Sequence, residues 1–93
     1  MKAFHMNGDY TKLYFTNYER RTDDEEFNEI FSILKANNCK FVSNTMAPEC
    51  DLIRCTIGNR DFTLIRTIDG DGSYIQCNDF VVMQIIEKMF EMK

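Results

Sequence analysis

Histidine occurs once in this 93-residue chain and glycine only four times, and each shortage removes a class of function. His5 is the only imidazole, so no histidine-rich metal centre can be assembled. The four cysteines, Cys39, Cys50, Cys55 and Cys77, contain no C-x-x-C pair, and their tightest spacing is Cys50-x4-Cys55. A structural zinc site is therefore not expected, and neither is any other metal or cofactor. The glycines form no phosphate-cradling loop, and no Gly-x-Ser-x-Gly elbow is present. Basic residues are also short, with 11 Lys and Arg against 15 Asp and Glu and a net charge of -4. Nucleic-acid binding needs clustered cations to displace counterions, so DNA and RNA are not expected partners.

Long apolar runs are missing as well. No stretch approaches the roughly 18 uninterrupted apolar residues of a membrane span. The opening residues Met1-Lys2-Ala3-Phe4-His5 lack the apolar core of a signal peptide. The expectation is a soluble, cytoplasmic chain with no membrane association, whose thiols stay reduced and mostly buried.

What is present is enough to fold. Apolar residues make up 44% of the chain and aromatics 13%, sufficient for one hydrophobic core and, at this length, for a single domain over residues 1–93. Asn7-Gly8 predicts a tight hairpin turn between Lys2–Met6 and a strand over Tyr10–Tyr18. In that strand Leu13 and Phe15 point to the core, while Tyr10, Tyr14 and Tyr18 share the other side. Thr22 followed three residues later by Glu25 is a capping box that starts a helix at Asp23. Phe27, Ile30, Phe31 and Leu34 line one face of it, and Asn37-Asn38 can stop it in the left-handed conformation.

Cys39–Ser43 reads as a short strand and Asn44–Glu49, holding Pro48, as a loop. Strands over Asp51–Ile57 and Asp61–Ile68 meet at Gly58-Asn59, a two-residue turn that pairs Ile57 with Arg60, Cys55 with Phe62 and Ile53 with Leu64. Asp69-Gly70-Asp71-Gly72 makes the next reversal into Ser73–Cys77, and symmetric pairing about it sets Leu64 opposite Cys77 and Thr67 opposite Tyr74. Asn78 then caps a second helix from Asp79, with Val82, Ile85, Ile86, Met89 and Phe90 as its apolar stripe. The fold class expected is α+β, an antiparallel or mixed sheet of about five to six strands with two amphipathic helices packed on one face.

Asp69-Gly70-Asp71-Gly72-Ser73 begins like a calcium loop, but Tyr74 stands where that loop requires glycine and Phe80 where it requires a bidentate glutamate. It reads as a turn. The acidic run Asp23, Asp24, Glu25 and Glu26 is favoured in a first helical turn by the helix dipole alone, yet it also suits a basic partner. The tyrosines are harder to assign to structure. Together with Arg54, Tyr74 and Gln76 they would make a Tyr- and Arg-bearing platform, a composition enriched at protein-binding hot spots.

The leading expectation is a non-catalytic protein-binding module, most concretely an acidic immunity or inhibitor protein that blocks a basic toxin such as a nuclease. Its anchors would be Tyr10, Tyr14, Tyr18 and Tyr74, and its electrostatic contacts Asp23, Asp24, Glu25, Glu49, Asp69 and Asp71. One alternative is a homo-oligomeric structural or regulatory domain, a homodimer that pairs the same aromatic face. Another is a small enzyme using Cys55 or Cys77 with His5.

Overall fold

A computed structural model describes residues 2–6, 8–16, 23–46, 50–67 and 72–92 of the chain. Its elements in order are β1 (Lys2–Phe4), β2 (Lys12–Thr16), α1 (Asp23–Ala36), β3 (Lys40–Met46), β4 (Cys50–Ile57), β5 (Arg60–Thr67), β6 (Ser73–Gln76), α2 (Phe80–Glu87) and β7 (Glu91–Met92). The fold is α+β. Among the described residues seven strands form one sheet in the order β3-β4-β5-β6-β2-β1-β7. Strands β1 to β6 pair antiparallel, and β7 joins β1 in parallel at the end.

Local chemistry explains the parts read correctly from sequence. α1 begins at Asp23, as the capping box predicts, although Thr22 itself lies outside the described residues. It ends where Asn38 adopts φ 67°. There the Cys39 N–H reaches back to the Leu34 carbonyl at 3.1 Å, which satisfies a carbonyl the helix leaves open. The β4–β5 hairpin closes in the expected register, with Ile57 opposite Arg60, Cys55 opposite Phe62 and Ile53 opposite Leu64. Gly58 supplies the positive φ that this tight turn demands.

Four expectations need correction. The first hairpin is not closed by a two-residue turn, because Phe4 pairs with Tyr14 and the connection spans the residues between Phe4 and Lys12. Asp9 organises it, its side chain accepting from the Thr11 N–H at 3.0 Å. Tyr10 therefore lies in this connection rather than on β2. Second, β3 runs on to Met46, because Asn44, Thr45 and Met46 find backbone partners in Ile53, Leu52 and Asp51 of β4, pairings that turn-forming residues do not advertise. Third, β6 sits two residues away from the expected register, with Leu64 opposite Ile75 and Arg66 opposite Ser73. The Thr67 N–H donates to the Gly72 carbonyl at 3.2 Å, so the pairing closes between Thr67 and Gly72, one residue earlier on each strand than symmetric pairing about residues 69–72 sets it. A slip of two residues preserves which side each side chain faces.

Fourth, α2 starts one residue late. Asp79, not Asn78, is its N-cap, accepting from the Val81 and Val82 amides, and the helix ends at Glu87. The side α2 buries is that of Val82, Met83 and Ile86, with Met83 at 1% exposure, and Ile85 is left at 38%. Met89 and Phe90 follow the helix and pack on the core from its C-terminal extension. β7 carries no periodicity and was not expected.

The core is one cluster. Strand residues Leu13, Ile75, Leu64 and Ile53 are mutual cross-strand partners and form a row on one side of the sheet, with Cys55 and Phe62 beside them. Ile30 and Leu34 of α1 and Val82, Met83 and Ile86 of α2 belong to the same cluster. Burial of this order, at about 25 cal/mol per Å2 of apolar surface, is the main force opposing chain entropy. Among the described residues, no helix is long and apolar enough to cross a membrane.

Candidate docking face

Alternation along the strands sends a second row of residues to the side opposite the core row. Phe4, Tyr14, Tyr74, Ile65 and Leu52 are successive cross-strand partners from β1 through β2, β6 and β5 to β4. The rings of Phe4 and Tyr14 stack at 5.9 Å between centroids, and those of Tyr14 and Tyr74 lie 5.3 Å apart, tilted by 31°. Such offset pairs stabilise a sheet surface by about 0.5–1.5 kcal/mol beyond burial. The rings are accordingly half-buried by one another, and Ile65, flanked by Tyr74 and Leu52, is only 4% exposed. Phe4, Met6, Tyr14 and Tyr74 border a depression of about 530 Å3 that Thr67 and, from the core-bearing side, Phe15 and Ser73 also line.

Next to the aromatic row lies a polar one. Gln76, Thr63, Arg54 and Ser43 are partners across β6, β5, β4 and β3 on the same side. They line an open depression of about 730 Å3 whose rim includes Asp61, Asn78 and Asp79. Arg54 donates to Asp61 at 2.8 Å, and this hydrogen bond raises the Arg54 pKa above its ordinary value. Arg60 donates to the Asp79 carboxylate, which also receives the Val81 N–H at 3.0 Å. The Arg60 hydrogen bond first, and then the backbone amides of α2, hold the Asp79 carboxyl below the usual carboxylate value. Phe80 and Val81, at the start of α2 directly after this cap, are 62% and 48% exposed.

The structure brings together Tyr14 and Tyr74, and it sets Arg54 and Gln76 in the adjoining row. Tyr10 stands apart, 58% exposed, with its ring edge-on to His5 at 5.0 Å. Glu25 is exposed on α1, and the backbones of Asp23 and Asp24 form the start of that helix, their side chains lying outside the described set. Tyr18, Glu49, Asp69 and Asp71 also fall outside the described residues. Phe4 was missed by sequence reasoning, whereas the β4–β5 register already puts Leu52 and Ile65 on the side opposite the core; that they continue the tyrosine row depends on which strands are neighbours. Phe80 and Val81 did carry a signal: two apolar residues follow a cap but precede the buried positions 82, 83 and 86.

His5 and the thiols have separate partners. The Nδ1 of His5 bonds the Lys12 carbonyl at 2.8 Å and its Nε2 meets the Glu87 carboxylate. Both neighbours are acceptors, so the ring meets both as a donor only when it carries two protons. The Cys55 thiol donates to the Ile53 carbonyl at 3.5 Å, and the single S–H of Cys77 lies within reach of the carbonyls of Asp61 at 3.6 Å and Asp79 at 3.5 Å. Burial pushes the Cys55 thiol up to about 12 and raises those of Cys39 and Cys77. All four cysteines are free, and three of them are buried. Among the described residues no three of His, Cys, Asp and Glu gather closely enough to hold a metal ion. Comparison of the chain with protein-family models, with curated proteins and with solved structures returned no match.

Proposed function

We propose that this chain is a non-catalytic, cytoplasmic protein-binding module, most concretely an acidic inhibitor of the immunity-protein kind that covers a basic toxin such as a nuclease. The observation that carries the reading is the row Phe4, Tyr14, Tyr74, Ile65 and Leu52 with Arg54 and Gln76 in the row beside it. Aromatic and arginine side chains on a shaped surface are the groups that dominate protein-binding energetics. The net charge of -4 favours a basic partner and would speed its association.

The reading takes both amphipathic helices to shield the same side of the sheet, leaving the aromatic row to the partner. Support comes from the shared cluster that Ile30 and Leu34 of α1 and Val82 and Ile86 of α2 form with Leu13, Leu64 and Ile75. The Arg66 guanidinium over the Phe27 ring at 5.1 Å, and the Phe15 and Phe90 rings 4.8 Å apart, agree with it at the two ends. Tyr14 and Tyr74 act as the central anchors and Tyr10 and Tyr18 as further anchors, while Asp23, Asp24, Glu25, Glu49, Asp69 and Asp71 steer the partner electrostatically.

Affinity capture from the native host, with wild type and Y14A/Y74A immobilised in parallel, tests this. The expected result is a basic protein, with nuclease or comparable toxic activity that the chain suppresses, held by wild type, released by salt and not held by the variant. Retention that ignores both salt and the Y14A/Y74A change would retire the reading. So would a captured protein whose activity the chain leaves untouched.

A further inference from the structure

The two ends of the sheet differ in how they are guarded. β7, at one end, is two residues long. β3, at the other, is seven residues long, and its only charged residue is Lys40 at its first position. Among the described residues β4 is its one strand neighbour. Solitary edges are ordinarily blunted by charge, proline or shortness, because unpaired N–H and C=O groups template another strand. A bulge between Phe41 and Ser43 interrupts β3 near its start, but Ser43 to Met46 continue in unbroken register with β4.

The side chains of this segment sort by side. Asn44 lies opposite Ile53 and Met46 opposite Asp51, which places both with the core-bearing side. Alternation from Asn44 puts Val42 on that side too, where it lines a groove of about 350 Å3 with Phe27, Phe31, Phe41 and Ile53 and with the polar Ser43 and Asn44. Ser43 and Thr45 face the other way. Val42 and Met46 are 58% and 79% exposed, an unusual outlay of apolar surface on a strand with one charge.

We propose that β3 pairs antiparallel with β3 of a second copy of this chain, about a two-fold axis through Asn44. In that register Val42 stands opposite the partner's Met46, Ser43 opposite the partner's Thr45, and Asn44 opposite its own counterpart. Apolar meets apolar in both symmetric pairs, hydroxyl meets hydroxyl, and no like charges face each other. Neighbouring registers fail. Centring on Ser43 sets Val42 against Asn44 and Met46 against Lys40, and centring on Thr45 sets Met46 against Asn44 and moves Val42 opposite Pro48, whereas in the chosen register Pro48 falls only opposite Lys40, beyond the matched pairs of residues 42–46. The partner's Met46 falls beside the mouth of the Phe27, Phe31 and Phe41 groove and covers it. Because the axis is perpendicular to the sheet, the aromatic rows of both copies emerge on one side, and the pairing is independent of the docking proposal.

Light scattering or sedimentation from about 1 μM to about 300 μM tests the pairing. Wild type is expected to pass from 11.0 kDa to twice that mass. V42E/M46E sets carboxylates against each other in both pairs and is expected to raise the dissociation constant at least about tenfold. V42K/M46E sets opposite charges there and is expected to restore a dimer that weakens with salt. Circular dichroism checks that both variants fold. In wild type, the amides of Ser43 to Met46 should gain hydrogen-exchange protection as concentration rises, which requires no variant. A wild type that stays monomeric at the highest concentration overturns the proposal. So does assembly beyond two copies, V42E/M46E dimerising like wild type, or V42K/M46E as dissociated as V42E/M46E.

Discussion

The Glu26 carboxylate accepts the backbone N–H of Ser73 at 3.1 Å, tying the first turns of α1 to the start of β6 across 47 residues. Glu26 is only 4% exposed, and a Cβ added at Gly72 would lie 3.0 Å from its Oε1. The acidic run at the head of α1 is thus not all surface, since one of its members holds the sheet to the helix.

Removing that tie should be costly. E26A leaves the Ser73 N–H without its acceptor and is expected to lower stability by about 1–3 kcal/mol in urea titration. E26Q retains an acceptor oxygen and should recover most of the loss. Gly72 has φ +85°, so G72A should cost about 1–2 kcal/mol from backbone strain, with a further penalty from the Glu26 contact. The double variant E26A/G72A should fall short of the sum, because the crowding vanishes with the carboxylate.

Leu64 has no exposed surface and stands between Ile75 and Ile53 in the core row. L64A is expected to destabilise by about 2–5 kcal/mol, the cost of lost burial plus a cavity. I85A on α2, at a position 38% exposed, should change stability by less than about 1 kcal/mol. The contrast separates the observed phase of α2 from the one its apolar stripe suggests.

Asp79 both caps α2 and pairs with Arg60. Its carboxyl titrates below the ordinary value of 3.8 because of Arg60 first and the α2 amides second. A lowered folded-state value means the charged form stabilises the fold above pH 3.8, and this contribution shrinks below that pH and vanishes once the folded carboxyl is protonated. Thermal melts should show D79N less stable than wild type at neutral pH, with the gap closing in acid. Asn still caps, so D79A should be the less stable of the two variants at every pH.

Thiol reactivity should follow burial. Cys39, Cys55 and Cys77 are buried with raised pKa values, Cys55 to about 12, whereas Cys50 is half-buried. Iodoacetamide at mildly alkaline pH should label Cys50 first in the native protein, and mass spectrometry of peptides should find Cys55 modified only after denaturant is added. Rapid native labelling of Cys55 would contradict its placement in the core.

The sequence by itself determined what is local. The capping residues and the i, i+3, i+4 pattern placed α1, and Gly58-Asn59 set the β4–β5 register residue for residue, because a helix start and a two-residue turn are decided by side chains within a few positions. Asp51 to Ile57 and Asp61 to Ile68 were legible for the same reason, within a residue at the ends. Only the tertiary structure decided that β6 lies beside β2, that β7 adds to β1, and that Asn44 to Met46 continue a strand. The row from Phe4 to Leu52 exists because of those neighbour choices, and Glu26 meets Ser73 only because α1 crosses near the start of β6. Strand order and buried polar contacts are settled by non-local burial, where residues far apart in sequence compete for the same core, and no pattern within a short window records the outcome.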